Sequence, residues 1–330
     1  MTAPLRMGTR ASALARAQSG AFAEALTRAT GRLVETVLVK TQGDQLSTEG
    51  KAPPGGDAAG VFVRALDDAL RRGEIDFAVH SLKDVPTAEA EGLVLAAVPG
   101  RADPRDALVV ASRHAGVTTV RALPKDAVVA TSSPRRVSQL LRVRPDLRTV
   151  AMAGNVDTRL QRLEEGRADA LILAAAGLDR LGRAHVIARR LDADEMLGAP
   201  AQGALGVGCR ADDAGTIATL AAMDDFETRI AAEAERDLLR CLRGGCRAPV
   251  GARGFFEGKG GSRRFVLVGR VLSLDGRERL EEEMSEPFAA PGPSSPSKRA
   301  PVSSLGRLLA ERLLARGAAR LIDASREAGH

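Results

Sequence analysis

The chain contains no tryptophan and no tyrosine, and eight phenylalanines carry its aromatic content over 330 residues. Proteins that grip single-stranded nucleic acid stack bases on aromatic faces, so this composition argues against that class. Cysteine is scarce too: Cys209, Cys241 and Cys246 form an odd set with no C-x-x-C pair. Neither a disulfide framework nor a zinc site is expected, and a reducing cytoplasm fits best. The histidines at 80, 114, 185 and 330 are too scattered for a metal cluster. No stretch approaches the roughly 18 apolar residues that a membrane helix requires. The opening "MTAPLRMGTRASALARAQ" lacks the apolar core of a secretory signal, so none is expected.

What is present describes a globular protein. Apolar residues make up 44% and charged residues 27%, and the length suggests two or three domains. Net charge is +6, supplied mostly by arginine. Such a surface attracts polyanions, which include carboxylate-rich metabolites as well as nucleic acids.

The first two thirds repeat a grammar of apolar run, polar turn and amphipathic helix. "LVETVLVK" reads as a strand. "GVFVRALDDALRRGE" places Val61, Ala65, Leu66, Ala69 and Leu70 at helical spacing, and "IDFAVHSLKDVP" reads as a buried strand stopped by Pro86. A strand over 127–131 then enters a turn with Ser133 at the N-cap and Pro134 opening the helix. "LRTVAMAGNVDTRLQRLEEGRADALILAAAG" is a βαβ unit. This alternation predicts α/β architecture with largely parallel sheets, whose ligands gather at the carboxyl ends of strands. After about residue 223 the grammar changes. A helix over "DDFETRIAAEAERDLLRCL" leads into a Gly-Gly-Cys turn. Then come antiparallel strands "RFVLVGRVLSL" and "ERLEEEM", a Pro/Ser-rich loop "EPFAAPGPSSPSKRAP", and one amphipathic closing helix.

Cations recur where helices begin. Arg10 and Ser12 precede the first helix, and Lys83 and Asp84 end a strand. Thr131, Ser132, Ser133, Arg135 and Arg136 surround another helix start; Arg159 lies in the first turn of the next, and Arg180 follows. Cations there oppose the helix dipole, so helix stability does not explain them. Together with outward N–H groups they suit carboxylate or phosphate ligands. The set predicts an anion-lined cleft between two α/β domains. Asp84, in such a cleft, would hold a ligand N–H or stabilise a cationic intermediate.

The motifs "MGTRAS", "KTQGD", "AVHSLKDVP", "DPRDALV", "TSSPRR", "GNVDTRL", "AAAGLDRLG" and "LRGGCRAPVG", in this order and spacing, resemble the porphobilinogen deaminase (hydroxymethylbilane synthase) family. The resemblance runs from about residue 5 to 255 and more weakly to the end. It implies two α/β domains like type II periplasmic binding proteins, at 1–103 with 199–223 and at 104–198, and an α+β domain at 224–330. It implies head-to-tail condensation of four porphobilinogen units into hydroxymethylbilane, with loss of ammonia, on a dipyrromethane primer held by a thioether at Cys246. The primer's site would comprise Cys246, Lys83, Thr131, Ser132, Ser133, Arg135, Arg136 and Arg180. Arg10, Ser12, Phe62, Asn155, Arg159 and Gln202 would serve the substrate. Asp84 would stabilise the positive pyrrole nitrogens. No metal, nucleotide, nucleic-acid or membrane partner is implied, and a cytoplasmic monomer is expected. Each pyrrole carries two acid arms; carboxylates about 5 Å apart repel by roughly 3 kcal/mol at an effective dielectric near 20, which explains the basic turns. Cys241 and Cys209 read as packed residues, and His80 as structural.

The match has departures. Ala153 stands where the family usually has arginine, and Ala59 where it has lysine; Ala201 and Gly208 also depart from the pattern. Each missing charged hydrogen bond is worth on the order of 1.5–3 kcal/mol. The alternative is therefore a catalytically impaired homologue that binds a carboxylated metabolite. A continuous basic face would instead mark nucleic-acid binding. A cysteine hydrolase built on Cys246 lacks a histidine in any motif that could supply its base.

Overall fold

The apolar runs become short buried strands, each handing over to a helix through a polar turn. The computed structural model describes residues 3–41, 58–88, 90–245, 248–259, 262–288 and 303–327, with backbone only at 58, 59, 61, 62 and 303. In chain order the elements are β1 Leu5–Thr9, α1 Ala13–Thr30, β2 Val34–Leu38, α2 Ala58–Arg71, β3 Phe77–Ser81, β4 Leu93–Ala97, β5 Asp106–Val110, β6 Val128–Ala130, α3 Pro134–Val143, β7 Arg148–Val150 and α4 Val156–Glu164. They continue with β8 Ala170–Ala174, α5 Ala175–Arg180, β9 Arg189–Arg190, β10 Leu205–Arg210, α6 Ala214–Leu220, α7 Phe226–Cys241, β11 Val250–Glu257, β12 Arg264–Leu272, β13 Arg279–Pro287, α8 Ser303–Ala315 and α9 Ala318–Glu327.

Two five-stranded sheets share one plan: β2-β1-β3-β10-β4 in the first unit and β7-β6-β8-β5-β9 in the second. In each, a βαβαβ stretch supplies three parallel strands, and one reversed strand pairs beside the third. The expectation of largely parallel sheets is thus corrected to mixed sheets. The reversed strands are β10, with Leu205 opposite Ser81, and β5, with Asp106 opposite Ala174. Reversal puts the start of each of these strands at the carboxyl end of its parallel neighbours. Residues 98–105 carry the chain from the first sheet to the second, and residues 191–204 bring it back.

The third unit is an antiparallel sheet, β11-β12-β13, covered by α7, α8 and α9. Ala234 and Leu238 of α7 pack with Phe265, Leu267, Leu309 and Leu313 in its core. The single closing helix expected here is two helices, separated at Gly317, whose φ of 95° breaks the first. The Pro/Ser-rich stretch falls mainly on 289–302, outside the described residues.

Buried carboxylates knit the units. Glu235 on α7 takes both Arg101 guanidinium nitrogens at 2.6 and 2.8 Å and accepts from the backbone N–H groups of Ala201 and Gly254, each at 2.6 Å. One side chain thereby ties both connecting segments to the third unit. The hairpin turn after β12 presses on α3: a Cβ on Gly276 would lie 2.5 Å from Ser138 O and Arg142 N. Arg270 of β12 donates to Gln139 of α3 at 2.7 Å. Among the described residues, no helix is long and apolar enough to cross a membrane.

Candidate active site

The carboxyl ends of the parallel strands bring the polar turns together. β3 runs into a one-turn helix at Leu82–Asp84, which leaves Asp84 exposed and Lys83 half-buried. In the second unit β6 ends at Thr131, and α3 begins at Pro134 with Arg135 and Arg136 in its first turn. The reversed strands meet these turns from the opposite direction. Asp106, the first residue of β5, is fully buried and binds Arg135 Nη1 at 2.6 Å and Arg136 Nε and Nη2 at 3.0 and 2.8 Å. Gln202, just ahead of β10, donates Nε2 to Asp106 at 3.1 Å and to the Pro104 carbonyl at 2.8 Å. Its Oε1 accepts from Lys83 Nζ at 3.2 Å. A continuous polar chain therefore runs from the first unit's turn to the second unit's helix.

Its electrostatics follow from burial. Loss of water pushes the Lys83 ammonium down to about 8; Arg136 and Arg135 push the same way, while Asp84 and Asp106 oppose them. Burial alone would raise the Asp106 carboxyl, but Arg135 and Arg136 outweigh it and hold it far below the usual carboxylate range. Arg159, on α4, donates Nε to the Gly154 carbonyl at 2.9 Å. Burial, then repulsion from Arg136 and Arg162, brings its guanidinium down to about 10. Arg180 donates to the Gly203 carbonyl at 2.7 Å; burial lowers it, and Asp179 only partly offsets this. His80 is pushed to about 4 by burial and by Arg10, so it is neutral near pH 7. Lys83, Arg159 and Arg180 thus meet neutral acceptors in these hydrogen bonds, an arrangement that suits acidic ligands.

The other expected residues take varied places. Arg135 and Arg136 are 4% and 7% exposed, so they are ion-paired inside the protein rather than held open at the helix start. Ser133 stands at the N-cap of α3 without a side-chain cap bond; its N–H donates to Thr131 Oγ1 at 3.3 Å. Ser132 Oγ donates to the Met152 carbonyl at 3.3 Å and accepts from the Met152 N–H at 3.2 Å, bracing the turn after β7. Ser12 and Asn155 cap α1 and α4, accepting from Ala15 N and Thr158 N at 3.3 and 2.9 Å. Cys246 and the Phe62 side chain lie outside the described residues. Cys209 is buried in β10, and Cys241 packs against the third unit's core. Sequence reasoning gave Asp106, Glu235 and Arg162 no role. Asp106 lay inside a quoted motif, but a strand's direction is invisible in its residue pattern. Cavities of about 580 and 610 Å³ open elsewhere, one beside β5 and α4, the other between α3 and β12.

Comparison with known proteins matches this construction. Residues 5–218 match the family described as "Porphobilinogen deaminase, dipyromethane cofactor binding domain", and residues 229–315 match "Porphobilinogen deaminase, C-terminal domain". A protein of Streptomyces coelicolor named porphobilinogen deaminase 1 is 47% identical over 323 residues, covering 96% of this chain and 97% of its own. Porphobilinogen deaminase of Thermobifida fusca is 44% identical, covering 97% and 96%. More loosely, the periplasmic VFT2 domain of BvgS from Bordetella pertussis is 17% identical, covering 66% of this chain and 86% of its own, with a TM-score of 0.40. The two family matches divide the molecule where the mixed sheets give way to the antiparallel one, and together with relatives alike over nearly their whole length they make this chain a member of the porphobilinogen deaminase family.

Proposed function

We propose that this chain condenses four porphobilinogen units head to tail into hydroxymethylbilane, releasing ammonia each time, on a dipyrromethane primer attached through a thioether at Cys246. The observation that carries this reading is the set of cations at the strand ends whose hydrogen bonds end on neutral acceptors. Lys83, Arg159 and Arg180 are half-buried cations with depressed pKa values and carbonyl or amide hydrogen-bond partners, and an exposed Asp84 stands at the same edge. A pyrrole bearing acetate and propionate arms suits that arrangement, so the residues fit the primer.

In this reading Lys83, Thr131, Ser132, Ser133 and Arg180 hold the primer's acid arms, and Arg135 and Arg136, ion-paired to Asp106, add positive charge behind them. Arg10, Ser12, Phe62, Asn155, Arg159 and Gln202 orient the incoming substrate. The primer, when bound, supplies a nucleophilic pyrrole carbon at its free end. Asp84 stabilises the positive charge that develops on the substrate's pyrrole nitrogen as ammonia leaves, a stabilisation greatest in the transition state. Arg10 and Arg159 keep the acid arms fixed so that the reacting carbons meet in one geometry. The working protein is a cytoplasmic monomer that engages neither nucleic acid nor membrane, built as units 1–103 with 199–223, 104–198 and 224–330.

Intact mass of the acid-denatured protein tests this. The wild type should carry an adduct equal to two condensed pyrrole rings, and Cys246→Ser should lack it. A wild-type chain still unmodified after incubation with porphobilinogen would overturn the proposal and leave the fold as a binder of carboxylated metabolites.

A further inference from the structure

An amide has fixed polarity, and Gln202 is held at both of its ends. Its Nε2 donates to the Asp106 carboxylate and to the Pro104 carbonyl at 3.1 and 2.8 Å, which leaves Oε1 to face the Lys83 ammonium at 3.2 Å. Gln202 and Asp106 are both fully buried, so their contact with each other is shielded from water. We propose that Asp106, acting through Gln202, is a positioning residue for Lys83: it fixes the amide so that an acceptor meets the ammonium. This rests on the proposed function only in counting Lys83 among the carboxylate-binding cations.

Asp106 is one of two carboxylates that favour the Lys83 ammonium, after Asp84. Asp84 lies on the same turn and favours the charged form. Arg135 and Arg136 on α3 disfavour it, and burial disfavours it most. Arg236 of α7 donates to the carbonyls of Leu82, Val85 and Pro86, so positive charge also packs behind the turn, while Arg101, which donates to the Gln202 carbonyl, is balanced by Glu235. His80 on the adjoining strand is neutral. With Lys83 near 8, its folded pKa lies below that of a free lysine, and the ammonium is lost as pH rises through about 8.

Replacing Asp106 by asparagine removes a charge that favours the ammonium. Gln202 stays tied to the Pro104 carbonyl, so the loss of charge is what makes Lys83 easier to deprotonate.

The test is the pH dependence of Lys83 acetylation by acetic anhydride, read by peptide mass on the full-length chain in a Cys246→Ser background, which keeps the amine uncovered. The midpoint should lie near 8 with Asp106 present and fall by about one unit in Asp106→Asn, a roughly tenfold gain in amine reactivity below the midpoint. Gln202→Met, which changes no charge but removes the acceptor, should lower the midpoint by a smaller step and serves if Asp106→Asn does not fold. A midpoint near that of free lysine, about 10.4, or one that moves in neither variant, overturns the proposal. The readout needs no turnover. Loss of the wild-type primer adduct with the expected midpoints would therefore sink the function while leaving this relay standing.

Discussion

The two five-stranded sheets share a strand order but treat charge differently at equivalent ends. In the first unit, the turn after β3 leaves Asp84 exposed and gives Lys83 a neutral partner, Gln202. In the second, the turn after β6 opens α3, whose arginines are buried and ion-paired to Asp106. A surface charge is cheap to keep, whereas a buried one must be paired. So the first unit leaves its carboxylate exposed at this turn, and the second uses a carboxylate to hold its helix start together. Equivalent turns of one architecture are built for different ends.

That contrast can be broken most forcefully at Asp106. Asp106→Ala leaves two buried guanidiniums without their counter-charge and should cost about 3–5 kcal/mol. Urea unfolding checks this, and a loss under about 1 kcal/mol would show that the arginines find other partners. Asp84→Ala should do the reverse: unfolding should be nearly unchanged, because the side chain is exposed. Condensation of porphobilinogen should slow by roughly 10²–10³, as when one electrostatic stabiliser is removed. Near-normal turnover would take Asp84 out of the mechanism.

Smaller changes sharpen the same division. Gly276→Ala places a methyl 2.5 Å from Ser138 O and Arg142 N, at a φ of 72°. The hairpin must lift from α3, at about 1–3 kcal/mol, and thermal unfolding should record it. Ala153→Arg would add an available cation to the second unit, beside Arg159 and Arg162, which donate to the Gly154 and Ala153 carbonyls. If the cleft takes carboxylates there, KM for porphobilinogen should fall about tenfold, from one charged hydrogen bond of ~1.5 kcal/mol. An unchanged KM would mean that Arg159 and Arg162 already suffice.

Much of this was legible in the residues. The βαβ grammar located β2, α2, β3, β6, α3, β7, α4 and β8, because apolar spacing and Pro or Gly punctuation are local properties. What escaped was direction. "DALVV" and "LGVGCR" are apolar runs whichever way they point, and their pairing partners lie far along the chain. Reversal of β5 puts Asp106 among the arginines, so helix-start cations that looked open in one dimension are closed in three. The closing helix failed for a local reason: its amphipathic spacing hid Gly317, which adopts a φ suited to glycine and ends the run. Glu235 was hidden by its company. On an amphipathic helix it reads as a solvated acid, yet it is fully buried against Arg101. The candidate site is legible mainly through its motifs; its internal wiring depends on contacts across about 100 residues, which no local pattern records.

The return of β10 has a consequence for how the molecule is made. The second sheet needs only residues 106–190, a continuous stretch, whereas the first waits for residues 205–210 to slide between β3 and β4. Nascent chains usually mature from the N-terminus forward. Here the first sheet closes only after the second, although its first strands are made earlier, and until then β3 and β4 each offer a bare edge to any strand that passes. The turn bearing Lys83 and Asp84 hangs from one of those edges, so it comes into register only after every strand of the second sheet has been made.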